Sequence, residues 1–518
     1  MNHSAPARAS VRDWLGMAVL VLPALLASMD LSVLFMASPW ISADLQPSAS
    51  QFLWIMDIYG FMMAGLLITM GSLGDRIGRR RLLLIGAAAF GAASALAAVA
   101  TSAELLIAAR ALLGVGGATL APSTLSLVRG MFLDDSQRRI AVGIWTSAFI
   151  GGVSVGPIVG GLLLEHFWWG SVFLINVPVM VLLLIVAPVL IRESRDPAPG
   201  KFDLLSAVLS LASILPVVYS IKTMAERSAH WSAVVAIVIG AGFCALFVAR
   251  QLRAGRPMID MRLLRRPAFA GSIISNGAVV FAAAGMGLLA ASYTQTVLDY
   301  SPFDAAVWML PTVAGSFIGV AAASVLARTI SARVLVPLGL LIAAGGFAGI
   351  SLVSPHSHIG VLVAGYSALT LGVGLTATLA TSLVLTTAPP EGAGAASALA
   401  ETSSEFGGAV GIAVLGTVTG AVYRASMTTH PAVGEQVSAA AADTIGGAVA
   451  VAQELPEHLA TPLLQQAFTA YTDGFTIAAL VGAAVLAIAA VGAGLLLRTV
   501  PTPHVPAQED GHRVESAR

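Results

Sequence analysis

Five ionisable side chains lie inside long apolar runs: Asp30, Asp57, Arg110, Glu401 and Glu405. At bilayer depth such a group costs at least about 2.5–3.5 kcal/mol, so each is expected to serve a purpose. A carboxyl there can be neutral with a proton or ionised against a cation. Trp54, Asp57 and Ile58 share one helical face, and Tyr59 follows. An aromatic wall beside a carboxylate suits a bulky organic cation through cation–π attraction and charge. The plainer alternative is an interfacial Trp anchor with a hydrated Asp. Glu401 and Glu405 stand at i, i+4 on one face. Two like charges so close do not both ionise cheaply, and Glu405, near the midplane, is expected to trade a proton for a cation. Glu401 reads equally as an inner-gate carboxylate. Arg110 keeps its charge and can tune a neighbouring carboxyl. Asp30 is the expected partner, because helix rise puts both in the outer half; a static ion pair is the competing role.

The elements that must position these groups are membrane helices. The 518 residues are 57% hydrophobic and 10% charged, with mean hydropathy +0.87; a soluble domain carries roughly 25% charge. Fourteen apolar runs of membrane-spanning length follow one another from Trp14 to Leu497, starting with Trp14–Ala37. Between the second and third lies Gly71-Ser72-Leu73-Gly74-Asp75-Arg76-Ile77-Gly78-Arg79-Arg80-Arg81, a short hairpin too charged for hydrocarbon. Basic loops stay cytoplasmic, so this hairpin orients the rest. With both ends cytoplasmic, every one of the 27 basic residues but Arg110, Lys222, Arg227 and Arg424 falls on the inner side or in a tail. Residues 326–333 form a degenerate copy of residues 74–81, with Ala327 where Asp75 stands. The expected architecture is all-α, and the resemblance of this repeat to facilitator-type folds, which are built from two such halves, implies a six-helix bundle over 1–191, a two-helix insert over 192–267 and a second six-helix bundle over 268–498. A cytoplasmic tail of 499–518 follows. An acidic extracellular segment, 423–474, interrupts the second bundle; it reads first as a solvated loop, with a surface helical hairpin over 438–455 and 459–471, or an acidic mouth that draws cations or touches a partner, as the alternatives. Net charge is zero, so no nucleic-acid partner is suggested, and the single Cys244 permits neither an internal disulfide nor a thiolate metal site.

The pattern Gly-x-Leu-x-Asp-Arg-x-Gly-Arg-Arg at Gly71–Arg80 resembles the loop between helices 2 and 3 of the major facilitator superfamily. Met29-Asp30-Leu31-Ser32-Val33-Leu34-Phe35-Met36-Ala37-Ser38-Pro39 is similar to helix 1 of its fourteen-helix drug:proton antiporter branch, with Ser32 and Phe35 as departures. Phe35 replaces an amide and makes the cavity more apolar. Residues 106–117, around Arg110, resemble the helix 4 motif to which proton coupling is attributed. Gly152, Gly156, Pro157 and Gly160 match the helix 5 motif found in exporters and largely absent from importers. Gly152, Gly156 and Gly160 also share one face and permit close helix contact, while Pro157 favours a bend. The resemblance implies alternating access of two bundles, in which Gly71, Gly74, Asp75, Arg76, Gly78, Arg79 and Arg80 form a gate. Asp75 is expected to cap a helix start or, when the inner side is shut, to pair with an arginine of the other bundle.

The function expected is proton-coupled efflux of lipophilic cations such as quaternary ammonium biocides and cationic dyes. Asp30, Arg110 and Glu405 would couple to protons; Asp30, Trp54, Asp57, Tyr59, Glu401 and Glu405 would bind substrate. No cofactor, metal or ATP is expected, and no enzymatic activity; no nucleotide-binding P-loop is present. A monomer in a bacterial inner membrane is expected. The alternatives are a proton-coupled exporter of a metabolite such as an amino acid or sugar, which would want more cavity Arg, Asn or Gln, and a non-transporting membrane sensor or scaffold.

Overall fold

The computed structural model describes residues 9–132, 134–195, 203–223, 231–254, 261–387, 393–427 and 440–500, and among these the regular elements are all helical. Among the described residues, twelve helices are long and apolar enough to cross a membrane. The chain runs α1 (Val11–Leu45), α2 (Ala49–Ile77), α3 (Arg79–Ala98), α4 (Ala103–Met131), α5 (Asp135–His166), α6 (Ser171–Leu174) and α7 (Asn176–Leu190). Then come α8 (Leu204–Thr223), α9 (Trp231–Arg253), α10 (Met261–Leu264), α11 (Pro267–Ser292), α12 (Pro302–Trp308) and α13 (Leu310–Leu326). The last are α14 (Ala332–Ile350), α15 (Ile359–Thr387), α16 (Ala393–Ser426), α17 (Ile445–Glu454) and α18 (Glu457–Leu496). The 32-residue α5 and 20-residue α8 stand beside the twelve.

The turns are short because polar residues cap the helices at once. Ser10 with Asp13, and Ser48 with Gln51, form capping boxes. Ser102 accepts from the Leu105 amide and Asp134 from the Gln137 amide. Helix α1 runs past the expected end at Ala37, although Pro39 removes a backbone donor. The Ser38 hydroxyl takes up the carbonyl left over, donating to Phe35 O at 2.8 Å. The segment 423–474, read first as a solvated loop, is helical over 440–443 and 445–454, and α17 packs on α18. Residues 428–439 lie outside the described residues, α17 is a 10-residue helix, and the segment after it is no separate hairpin arm. Glu457–Leu496 is one 40-residue helix running straight into the final apolar segment.

Helix packing repeats. In the first set α1 lies on α5, α3 on α4, α2 on α4, α3 on α7, α1 on α4 and α1 on α7. In the second set α11 lies on α16, α14 on α15, α13 on α15, α14 on α18, α11 on α15 and α11 on α18. Each pair has its counterpart in order, and each set builds an apolar core, the first of which also takes in Ala284, Leu288, Ala291, Ala306 and Ile412 of the second set. They meet along α2–α16, α5–α12 and α1–α11, again a self-matching pattern.

Several of the contacts between sets cluster at the end where α1 finishes. Ser38 and Ser292 hydroxyls are 3.3 Å apart, and Gln295 Nε2 donates to Met36 O at 3.1 Å. A Cβ on Gly161 would stand 2.9 Å from Pro302 O. Between the sets, α8 lies on both α2 and α16. Its Leu211 fills the notch at Gly65, where a Cβ would come within 2.3 Å of Cδ2. Ser210 Oγ donates to Gly65 O at 3.2 Å. Where the insert turns, Arg250 donates to Asp203 at 2.8 Å and to Ser206 at 3.1 Å.

Candidate substrate and proton site

The structure joins Asp30 to Arg110. Both are buried, and Arg110 Nη1 donates to Asp30 Oδ2 in a short contact. Arg110 Nε donates to Ile55 O at 3.1 Å, and the guanidinium lies 4.9 Å from the centre of the Tyr59 ring. Helices α1, α2 and α4 therefore converge on one cation. Two glycines of α4 make the fit possible, a role that the sequence reading did not assign them. A Cβ on Gly114 would stand 2.6 Å from Tyr59 O, and one on Gly117 would stand 2.9 Å from Tyr59 Oη. Any larger residue at either position would push α2 away from Arg110.

Glu401 and Glu405 are half-buried on α16. Among the described residues no hydrogen bond or ion pair reaches either carboxylate. Helix α2 approaches here through Gly60, where a Cβ would lie 3.8 Å from Glu405 Oε2 and 3.4 Å from Ala409 Cβ. Phe61 and Phe406 meet edge to face across the same seam, with ring centres 6.5 Å apart. Asn276 of α11, a second residue the sequence reading passed over, fixes the turn of α16 that carries the two acids. Its Nδ2 donates to Ser404 Oγ at 2.6 Å and to Ala400 O at 3.2 Å. A lone amide in an apolar run was the available signal.

Trp54 and Asp57, read as an aromatic wall beside a carboxylate just inside the outer surface, are half-buried and buried respectively. Asp57 is 1% exposed. Trp54 is half-buried and packs against the cluster of Phe61, Val218, Ala409 and Ala413, drawn from α2, α8 and α16. The alternation that put both on one helix face was sound, but a single sequence does not show that the insert lies over that face.

The hairpin motif is held from within its own set. Asp75 pairs with Arg79 at 2.5 Å rather than with the second set, and it caps no helix. Arg76 is exposed. Gly71 lies 3.9 Å from Pro122 Cβ by its Cβ position, and Gly74 lies 3.0 Å from Arg79 Cδ. Gly78 has φ +110°, and a Cβ there would be 2.5 Å from the Glu193 carboxyl carbon. Glu193 is the unforeseen anchor, accepting the Arg80 amide at 2.9 Å and the Arg81 amide at 3.2 Å. Its charge sits at the N-terminus of α3, where amides point outward. Arg80 Nη1 donates to Ile191 O at 3.0 Å.

On α5, Gly152 and Gly156 press on α1: Cβ atoms there would stand 2.1 Å from Ser28 Oγ and Ser32 Oγ. Gly160 would meet Val33 Cγ1 at 3.1 Å. Pro157 lies within the same helix.

Beyond the charged site, towards the end where α1 finishes, a cavity of about 130 Å³ lies between the sets. Ser38, Ser42, Phe52, Ser292, Tyr423 and Tyr471 line it, and Ile445, Gly446 and Val449 roof it. The roof touches both sets. Asp443 accepts from the Ala49 amide at 3.1 Å and stands 3.8 Å from Arg424. A Cβ on Gly446 would stand 2.6 Å from Ser42 Cβ.

The family model described as Major Facilitator Superfamily matches residues 20–412. The chain belongs to the major facilitator superfamily. It is similar to "Multidrug efflux pump LfrA" of Mycolicibacterium smegmatis, at 44% identity over 95% of this chain and 97% of that protein. "Methyl viologen resistance protein SmvA" of Salmonella typhimurium is 34% identical over 93% of this chain and 97% of that protein. Among solved structures, a bacterial homologue of the human lysosomal transporter Spinster, captured inward-facing and unoccupied, superposes with TM-score 0.67. It is 17% identical and is matched over 95% of this chain and 98% of its own, so it speaks for the fold alone. This superfamily member is a transporter rather than an enzyme, and a multi-pass protein of a bacterial inner membrane.

Proposed function

We propose that this protein is a proton-coupled multidrug exporter of lipophilic cations, working by alternating access of its two helix sets. The observation that carries the reading is the placement of the acids. One, Asp30, is ion-paired in the first set, and two, Glu401 and Glu405, stand without hydrogen bond or ion pair among the described residues on the second set's face of the seam. The relatives named as multidrug efflux and resistance proteins support export of drugs. In this reading all fourteen apolar runs span the bilayer, both chain ends are cytoplasmic, and the bundles are 1–191 and 268–498 with the insert 192–267 between them.

The chemistry is competition for one carboxyl. In a site of low dielectric an ionised acid needs a cation, and either a proton or a lipophilic cation meets the need. From the inner side the drug displaces the proton; from the outer side the proton displaces the drug. The empty, charged state crosses poorly, which prevents futile cycling. The drive is the proton gradient, including about 2.3 kcal/mol per charge per 100 mV. The contacts at the α1-finishing end, with the roof of residues 443–449, then form the closed outer gate of an inward-facing state.

Valence is the finer question. Helix α13 holds no acidic residue, with Ser316 near its middle, which favours monovalent cations. The relative named for methyl viologen resistance favours the opposite, because methyl viologen is a bipyridinium dication. The deciding experiment is a proteoliposome assay with an imposed pH gradient and matched mono- and dicationic dyes and biocides. Proton release driven by monocations in excess of dications is expected. Absence of release with every compound would sink the function proposed, and equal release would sink the valence preference.

A further inference from the structure

We propose that the cavity of about 130 Å³ under the roof of residues 443–449 binds one small, neutral aromatic ring carrying a single hydroxyl, a phenol-type molecule, and that such a ligand holds this end of the protein shut. The inference goes beyond export itself; for its effect on traffic it rests on the alternating-access reading. The site is separate from the acids at the seam. Thr417 in its wall and Glu405 share α16, and twelve residues of helix rise amount to about 18 Å.

Three properties of the wall select the ligand. Size is the first: a cavity of about 150 Å³ takes one benzene molecule, so this one admits a single ring and excludes a polycyclic drug. Charge is the second. Arg424 and Asp443 stand 3.8 Å apart in the wall and offset each other, so no ionised ligand is called for. Hydrogen bonding is the third. Four hydroxyls of the wall give their protons to main-chain carbonyls: Ser38 to Phe35 at 2.8 Å, Thr419 to Leu415 at 3.0 Å, Tyr423 to Ala441 at 2.8 Å and Tyr471 to Leu289 at 3.2 Å. Those hydroxyls keep lone pairs and have no proton to offer, so the wall is short of donors rather than acceptors. Thr417 Oγ1 is buried and has no hydrogen-bond partner among the described residues. Buried polar atoms are almost always satisfied, so this one calls for a partner. A phenolic ring fills the apolar space beside Phe52, Leu53 and Leu288 and gives its O–H to Thr417.

The site exists only while the two sets meet. Its wall is drawn from α1 and α2 of the first set and from α11, α16 and α18 of the second. Its roof is tied to the first set where Asp443 accepts from the Ala49 amide at 3.1 Å. Parting the sets at this end takes the wall apart and opens the void to water. A ligand that binds one state and not the other shifts the population by its differential affinity. A phenol-type ligand therefore favours the state shut at this end and slows export without occupying the seam where cations bind.

The test titrates the full-length protein in detergent with phenol and with benzene by calorimetry, and follows ethidium efflux from proteoliposomes over a range of phenol concentrations. Saturable binding of one phenol per chain is expected, about fivefold tighter than benzene, as for one net hydrogen bond. Phenol should lower the maximal efflux rate and leave the ethidium concentration for half-maximal rate unchanged. Thr417→Phe puts a ring of its own into the void and should abolish phenol binding. Thr417→Val keeps the shape, should fold as the wild type does, and should bind phenol no better than benzene. Absence of saturable phenol binding by the wild type, or wild-type binding in Thr417→Phe, would overturn the site. Should Thr417→Phe fail to fold, an undiminished preference for phenol in Thr417→Val would overturn it instead. Phenol binding that leaves efflux untouched would overturn the hold on this end. A wild-type protein that moves no ethidium would sink the export reading, with the calorimetry still deciding the site.

Discussion

At the scale of single residues, the Asp30–Arg110 pair decides most. Removing one partner of a buried ion pair leaves the other charge uncompensated, at about 3–5 kcal/mol. Asp30→Asn should therefore fold but melt at a lower temperature, and its ethidium-driven proton release should vanish. Asp30→Asn/Arg110→Gln should regain much of the melting temperature and none of the coupling. Thermal melting in detergent beside proton release in vesicles checks both halves; full release by either variant would count against Asp30 as a coupling acid. Asp30, Arg110 and Glu405 were legible in the sequence because charge inside an apolar run has a price that composition alone reveals. Asp75 holds its i, i+4 neighbour Arg79 here, and the pairing across the bundles expected of it belongs to the state with the inner side shut. Asn276, Gly114 and Gly117 were missed because their importance lies in what touches them across the bundle, which one chain read linearly does not disclose.

At the scale of elements, α5 offers a clean contrast. Gly152→Ala would bring a methyl to 2.1 Å from Ser28 Oγ and 2.4 Å from Leu25 O, so α1 and α5 must part. Gly151 has no atom within 4 Å of its Cβ position, and Gly151→Ala gains helix propensity there. The first variant is expected to lose folded protein on size exclusion and the second to match or exceed the wild type. The exporter-type glycine pattern was readable beforehand, and the partner helix was not. A second prediction belongs to the insert. Burial raises the carboxyl of Asp203, but bonds from Arg250 and Ser206 outweigh it and leave the group below its ordinary value. A depressed carboxyl stabilises the folded form above the unfolded value of about 3.9 and loses that effect as pH falls through the lower, folded value. Transport measured between pH 5 and 8 should accordingly keep the same pH profile in Asp203→Asn as in the wild type. A shifted profile would show that the insert turn takes part in coupling.

At the scale of the whole molecule, the two helix sets must separate at the end roofed by residues 443–449 if access alternates. In a Cys244→Ser background, Ser42→Cys with Gly446→Cys places two thiols where Cβ atoms approach to 2.6 Å, close enough to bridge after a small adjustment. Oxidation should stop ethidium efflux and reductant should restore it. Undiminished efflux by the oxidised protein would show that this end need not open. The all-helical frame was legible in hydropathy and charge, since lipid leaves helices as the simplest way to satisfy every backbone group. The roof was not, because a short Ala- and Gly-rich helix looks the same in sequence whether it is solvated or wedged between bundles.

The repeated pairing of helices has a corollary for polarity. The frame is drawn twice from one plan, yet the counterparts of α1 and α4 in the second set, α11 and α15, contain no charged residue at all. That copy places its two acids at the seam, Glu401 and Glu405, on the counterpart of α5 instead. A doorway opened by one copy's tilt therefore never presents the same chemistry as a doorway opened by the other's. The grip on cargo at the two thresholds is therefore unequal by construction.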